Sequence, residues 1–201
     1  MSINQIIIKN SGYVLCKSSF YTVTDILDGR EFTFTKGVNL LRGDIDSGIF
    51  GISYLMSMYK SIDTRTICMP HVATVDNKQV LLSDLVNNCC YMDAIYPLFS
   101  TKRSIRALVA KGAKSLGLSE STDEILDLFM VQGHNRDRAV SQTGNERIKA
   151  MAAIAYSYGK DVFCFPWLSK TRYDSFNMHM PALLDTLAKL GKIAVLPLDK
   201  E

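Results

Sequence analysis

Residues 43–51, GDIDSGIFG, place Gly43 and Gly48 at the spacing of a phosphate-binding loop, with a helix-like run behind them. The pattern G-x-x-x-x-G-K-[ST] works because backbone N–H groups cradle phosphate oxygens, a lysine reaches the β/γ-phosphates and a hydroxyl holds magnesium. Here Ile49 stands at the lysine position and Phe50 at the hydroxyl position. Neither side chain can donate to phosphate or coordinate a metal. Asp44 and Asp46 add carboxylates where an anion should enter. Like charges ~4 Å apart repel by about 1 kcal/mol in water and by several times that in a partly dry site.

The loop reads two compatible ways. As a tight turn, glycine supplies positive φ and Ser47 or Asp46 caps the helix that follows. As a vacated anion site, Asp46, with or without Asp44, turns its carboxylate to the N–H groups at the helix start. The helix dipole favours a negative charge there by ~0.3–1 kcal/mol.

Few other residues form a chemical constellation. The histidines, His71, His134 and His179, are far apart, and the five cysteines show neither C-x-x-C nor Cys/His spacing, so no metal site is expected. Adjacent Cys89 and Cys90 read as buried thiols in a reducing compartment, not as a redox pair. No nucleophile–base pair or pair of acid/base carboxylates is readable, so no catalytic residue is assigned. Residues 112–115, GAKS, follow no strand and read as a helix face. Trp167 reads first as a core residue; the alternative is that it plugs a nucleotide pocket together with Phe50.

The elements that would position the loop follow from periodicity. Residues 4–9 and patches within 11–35 are β-prone, with Asp28-Gly29 and Lys36-Gly37 as turns. VNLLR (38–42) is a short apolar strand before the loop. ISYLMSMY behind it places Ile52, Leu55, Met56 and Tyr59 on one helical face. Residues 64–70 and 79–82 are strand-like. From about 84 to 135 the chain is mainly helical, with Ile105, Leu108, Val109 and Leu116 on one stripe. Capping boxes are expected at Ser121/Glu124 and Thr143/Glu146. DVFCF (161–165) and KIAVL (192–196) have the fully apolar character of buried parallel strands. Between them lies a helix opened by Pro181 and closed by Gly191. The order gives an α/β fold with a partly parallel sheet.

The chain has 201 residues, 47% hydrophobic and 21% charged, with a net charge of +3. This is ordinary for one soluble domain and gives no nucleic-acid signature, since the basic residues are scattered. The apolar N-terminal run lacks the basic flank and cleavage site of a signal peptide. No stretch reaches the ~20 apolar residues of a membrane span.

With these motifs in order, the sequence resembles the nucleotide-binding (ATPase) subunit of ABC transporters over nearly its whole length. EFTFTKGVNLLRGDIDSGIFGISYLMSMY is similar to that family's strand, phosphate loop and helix. CCYMDAIYPLFSTKRSIRAL is similar to the segment around its Q-loop. RAVSQTGNERIKAMAAIAYSYGKDVFCFPWLS is similar to its signature, following helix and Walker B strand, and GKIAVLPLD to its final strand and switch. The resemblance implies a P-loop NTPase-like fold: an N-terminal antiparallel β part, a mostly parallel core sheet and a helical subdomain inserted at about 84–145.

The same resemblance implies a degenerate member. The Walker B acids are replaced by Pro166 and Trp167, and Asp161 lies at the wrong end of its strand. Gln142 and Thr143 replace two signature glycines, while Ser141 keeps the signature serine, read chiefly as a helix N-cap. Asp93 aligns with the Q-loop glutamine and Leu198 with the switch histidine, beside Asp199. Phe20 or Tyr21 would stack adenine. A cofactor-binding remnant would comprise Gly43, Asp46, Ser47, Gly48, Ile49, Phe50, Tyr21 and Ser141, with neither catalytic nor metal residues.

The expected function is a pseudo-ATPase, cytoplasmic or peripheral at the membrane's cytoplasmic face, with no resident cofactor and no direct membrane insertion. Its partner would be a protein: an ABC ATPase subunit, a membrane permease or a second copy. The alternatives are a subunit that still binds ATP weakly while a partner hydrolyses it, and a scaffold or enzyme with new chemistry on the fold. Loss of the lysine alone removes a charge-assisted contact of ~1.5–3 kcal/mol, roughly ten- to a hundredfold in affinity.

Overall fold

The computed structural model describes residues 3–62, 72–176 and 178–200, excluding the side chains of Asn10, Ser11 and Asp28. The strand expected at 64–70 lies outside the described residues. β1 (Gln5–Lys17) and β2 (Thr22–Thr35) form one long antiparallel hairpin, in register from Gln5↔Thr35 to Lys17↔Thr22 with an irregularity between Lys9 and Ser11. β1 also pairs with β4 (Val72–Val75), which pairs with β5 (Lys78–Leu81). Asp76 and Asn77, both at positive φ, turn that second hairpin, as a type I′ turn requires.

The second sheet is parallel. It runs in the order β3 (Gly37–Arg42), β8 (Ile193–Leu198), β7 (Val162–Cys164) and β6 (Cys89–Tyr91). β6, β7 and β8 are buried throughout and alternate between two cores. Cys90, Phe163, Ala194 and Leu196 face the helices, whereas Cys89, Val162, Cys164 and Val195 face the antiparallel sheet. This is the period-two rule applied to strands wet on neither side. Adjacent Cys89 and Cys90 therefore enter different cores. The architecture is the expected α/β one: an antiparallel N-terminal part, a parallel core sheet and helices between β6 and β7.

α1 (Ile49–Met58) lies between the two sheets, and all ten of its residues are buried. This corrects the one-face reading: Tyr59 falls in a 3₁₀ turn beyond the helix and is only partly covered. A helix apolar all round belongs in an interior. α2 (Leu82–Leu85) is a single turn before β6. α3 (Ile105–Leu116) buries Ile105, Leu108 and Val109, but Leu116, expected on that stripe, is 49% exposed.

α4 (Thr122–Leu128) opens with both bonds of the Ser121/Glu124 capping box. The second expected box is absent. α6 (Arg147–Ser157) follows 3₁₀ turns, the Thr143 hydroxyl donates to the Val140 carbonyl, and Glu146 turns inward. The Glu146 carboxylate accepts the Gln132 N–H and the Asn135 amide, on either side of α5 (Gly133–Arg136)'s start. Burial with ready donors outweighs local capping here. α7 (Lys170–Ser175) and α8 (His179–Lys189) complete the fold; Pro181 falls in the first turn of α8, where its missing N–H costs no bond. Among the described residues no helix is long and apolar enough to cross a membrane.

Candidate functional site

The loop after β3 starts where two parallel strands end together. The Gly43 N–H donates to the Leu198 carbonyl at 3.0 Å, and the Gly43 carbonyl accepts the Trp167 indole N–H at 3.0 Å. Ser47 folds back, its N–H and hydroxyl both donating to the Asp44 carbonyl. Gly48 is the N-cap residue of α1, at φ 88°, a conformation that explains glycine there. Neither Ser47 nor Asp46 caps the helix. Asp46 is exposed, and the exposed Asp44 carboxylate pairs with Lys200 at the surface.

The carboxylate at the helix start belongs to Asp25, on β2, a residue that lies in none of the sequence motifs. Asp25 is fully buried. One of its oxygens accepts the Gly48 N–H at 2.7 Å and the Ile26 N–H at 3.0 Å; the other accepts the Gly51 N–H at 2.5 Å. Burial pushes the Asp25 carboxyl above the usual range, the three amides pull it back, and the charge of Asp46 adds to the rise. Gly51 makes the approach possible: a Cβ there would lie 2.9 Å from Leu27 and Val14 methyls and 3.1 Å from the carboxylate. The sequence signal was available, since Asp25 shares the inward parity of Val23 and Leu27, where a charge needs buried partners.

Ile49 and Phe50 are 3% and 0% exposed. Tyr21 meets Phe50 edge-on at 5.7 Å and Trp167 at 6.1 Å, and its hydroxyl donates to the Trp167 carbonyl. Phe50 continues the series to Tyr54 and Tyr91. Trp167 and Phe50 thus both meet the ring of Tyr21. Phe20 is stacked by the guanidinium of Arg172, 3.4 Å from the ring centroid, with Arg147 at 5.4 Å. Asp93, nearly buried, holds the hairpin tip by accepting the Ser19 N–H and hydroxyl. Beyond β6 and β7, the cavity lined by Phe20, Asp93, Arg147, Phe165 and Pro166 measures about 10 Å³, room for about one water.

The remaining sequence candidates lie apart. Ser141 is exposed in a 3₁₀ turn and does not cap α6, which starts at Arg147. Asp161 sits at the opposite end of β7, paired with Lys192 at 2.7 Å. Residues 112–115 are inside α3. Among the described residues no group of His, Cys, Asp and Glu could hold a metal.

No protein-family model matches the chain, and no curated protein does. Solved structures match it in fold. A putative ABC transporter ATP-binding protein from Pyrococcus furiosus superposes with a TM-score of 0.60 at 12% identity, over 98% of this chain and 92% of that one. The ATP-binding subunit of an ABC transporter gives 0.60 at 14%, over 98% and 79%. A bacterial Atm1-family ABC exporter solved with ATP bound gives 0.54 at 13%, over 98% of this chain and 34% of the exporter. The fold is therefore that of ABC ATP-binding proteins, as the resemblance implied.

Proposed function

We propose that this chain is a catalytically degenerate ABC-type ATP-binding subunit, a pseudo-ATPase. It acts through protein contacts as an accessory or regulatory partner of an ABC transporter or related complex, at the cytoplasmic face of a membrane. The observation that carries this reading is the burial of Ile49 and Phe50. At the two positions where the loop would present an ammonium and a hydroxyl, it presents apolar side chains to the interior. Transition-state stabilisation in phosphoryl transfer comes from cations and positioned donors, and these positions supply none.

A groove of about 500 Å³ at the far end of α1 supports a protein partner: another ABC ATPase subunit, a permease or a second copy. Met58, Val86, Tyr96, Pro97 and Leu98 give it apolar walls, and Lys60 and Lys160 give it positive charge. Both ammonium groups donate to Asn87, through its side chain and its carbonyl.

The test is nucleotide binding and turnover by the purified protein, alone and with whatever membrane or ATPase subunit co-purifies. The expected result is no turnover by the chain alone and capture of a protein partner. ATP hydrolysis by this chain that depends on magnesium and disappears on deleting residues 43–48 overturns the reading. One observation favours weak residual ATP binding as a second reading: Lys200 reaches the loop at Asp44, so a cation stands at its mouth. Millimolar binding of ATP lost in Lys200→Ala supports that alternative.

A further inference from the structure

The loop ends at Gly48, in the left-handed region at the start of α1, and two N–H groups there are already taken. The Asp25 carboxylate spans Gly48 and Gly51, a reach resembling that of an N-cap side chain, but supplied from another strand. Three N–H groups converge on this one carboxyl group, those of Gly48, Ile26 and Gly51. The Asp25 side chain is fully buried and is delivered by the hairpin whose tip Asp93 holds. The N-cap residue itself could not do this, because Gly48 has no side chain.

We propose that Asp25 is a built-in anion occupying the phosphate position at the start of α1. An external phosphate group reaches these amides only by displacing it. The inference rests on the degenerate-site reading and deepens it: the site is closed by an internal competitor as well as stripped of its lysine. When a site is open in only a fraction of molecules, apparent affinity falls by that fraction. Removing the competitor should then restore anion binding without adding any new cation.

The experiment titrates magnesium pyrophosphate into the full chain, read by calorimetry and by emission of Trp167, the only tryptophan, whose indole touches the loop. Asp25→Gly should bind at least tenfold more tightly than wild type, and Asp25→Asn should fall between. Asp46→Asn also removes one negative charge near the loop and should change affinity far less. Equal affinity in wild type and Asp25→Gly overturns the proposal, and so does an equal gain from Asp46→Asn. If the Asp25 variants lose their circular dichroism, wild-type amide shifts decide: the Gly48 and Gly51 protons must move together as acid titrates Asp25, and their immobility overturns it. The outcome is separable from the function itself. Turnover by wild type would end the pseudo-ATPase reading, whereas only the ratio between Asp25 and Asp46 variants bears on the internal competitor.

Discussion

The indole N–H of Trp167 donates to the carbonyl of Gly43 at 3.0 Å, tying the segment after β7 to the first residue of the loop after β3. Trp167→Phe keeps most of the ring but removes the donor. The variant should lose about 1 kcal/mol, the net worth of one hydrogen bond. Urea unfolding with an unchanged slope is the check; an unchanged midpoint would mean that water replaces the indole at no cost.

Gly51 lies inside α1, where alanine is ordinarily the better residue by about 1 kcal/mol. Here a Cβ would enter the 2.9 Å gaps beside Leu27 and Val14. Overpacking costs ~1–3 kcal/mol, which matches or exceeds that gain, so Gly51→Ala should destabilise by up to about 2 kcal/mol. A stabilised variant would show that the hairpin yields easily.

The pH dependence of stability carries a sign that follows from burial. The folded pKa of Asp25 is raised, chiefly by desolvation, so the folded state holds that proton more tightly than the unfolded chain. Its contribution is fully present below the ordinary carboxylate range of about pH 4 and is lost as pH rises through the folded value. The stability of wild type relative to Asp25→Asn should therefore fall across that window. Paired urea titrations on either side of it measure the difference; a relative gain with rising pH would contradict the direction.

Lys160 is part-buried, and desolvation holds its pKa below the usual lysine range. If the groove beside α1 receives an acidic partner segment, Lys160→Glu combined with Lys60→Glu should reduce partner capture more than about tenfold. Capture by wild type should also weaken with salt. Circular dichroism should not change. Undiminished capture would place the partner elsewhere.

How much of this was legible beforehand depended on whether a feature is local in the chain. Runs such as DVFCF and KIAVL announced buried parallel strands because burial on both faces leaves no alternation to confuse the pattern. The Ser121/Glu124 box was readable because its partners are three residues apart. The Thr143/Glu146 pair has the same spacing but failed, since Glu146 found buried donors at Gln132 and Asn135. β6 has only three residues, too few for periodicity to register. Asp25 escapes a local pattern because its partners Gly48 and Gly51 lie 23 and 26 residues away, whereas the carboxylates next to the helix start in sequence are those of Asp44 and Asp46.

α1 has no wet side. A helix walled in by two sheets cannot pivot without parting one of them, so its two ends move together or not at all. Its ten residues make a strut of about 15 Å, with the glycine loop at one tip and the lysine-lined groove at the other. A load set down on either tip is borne by both.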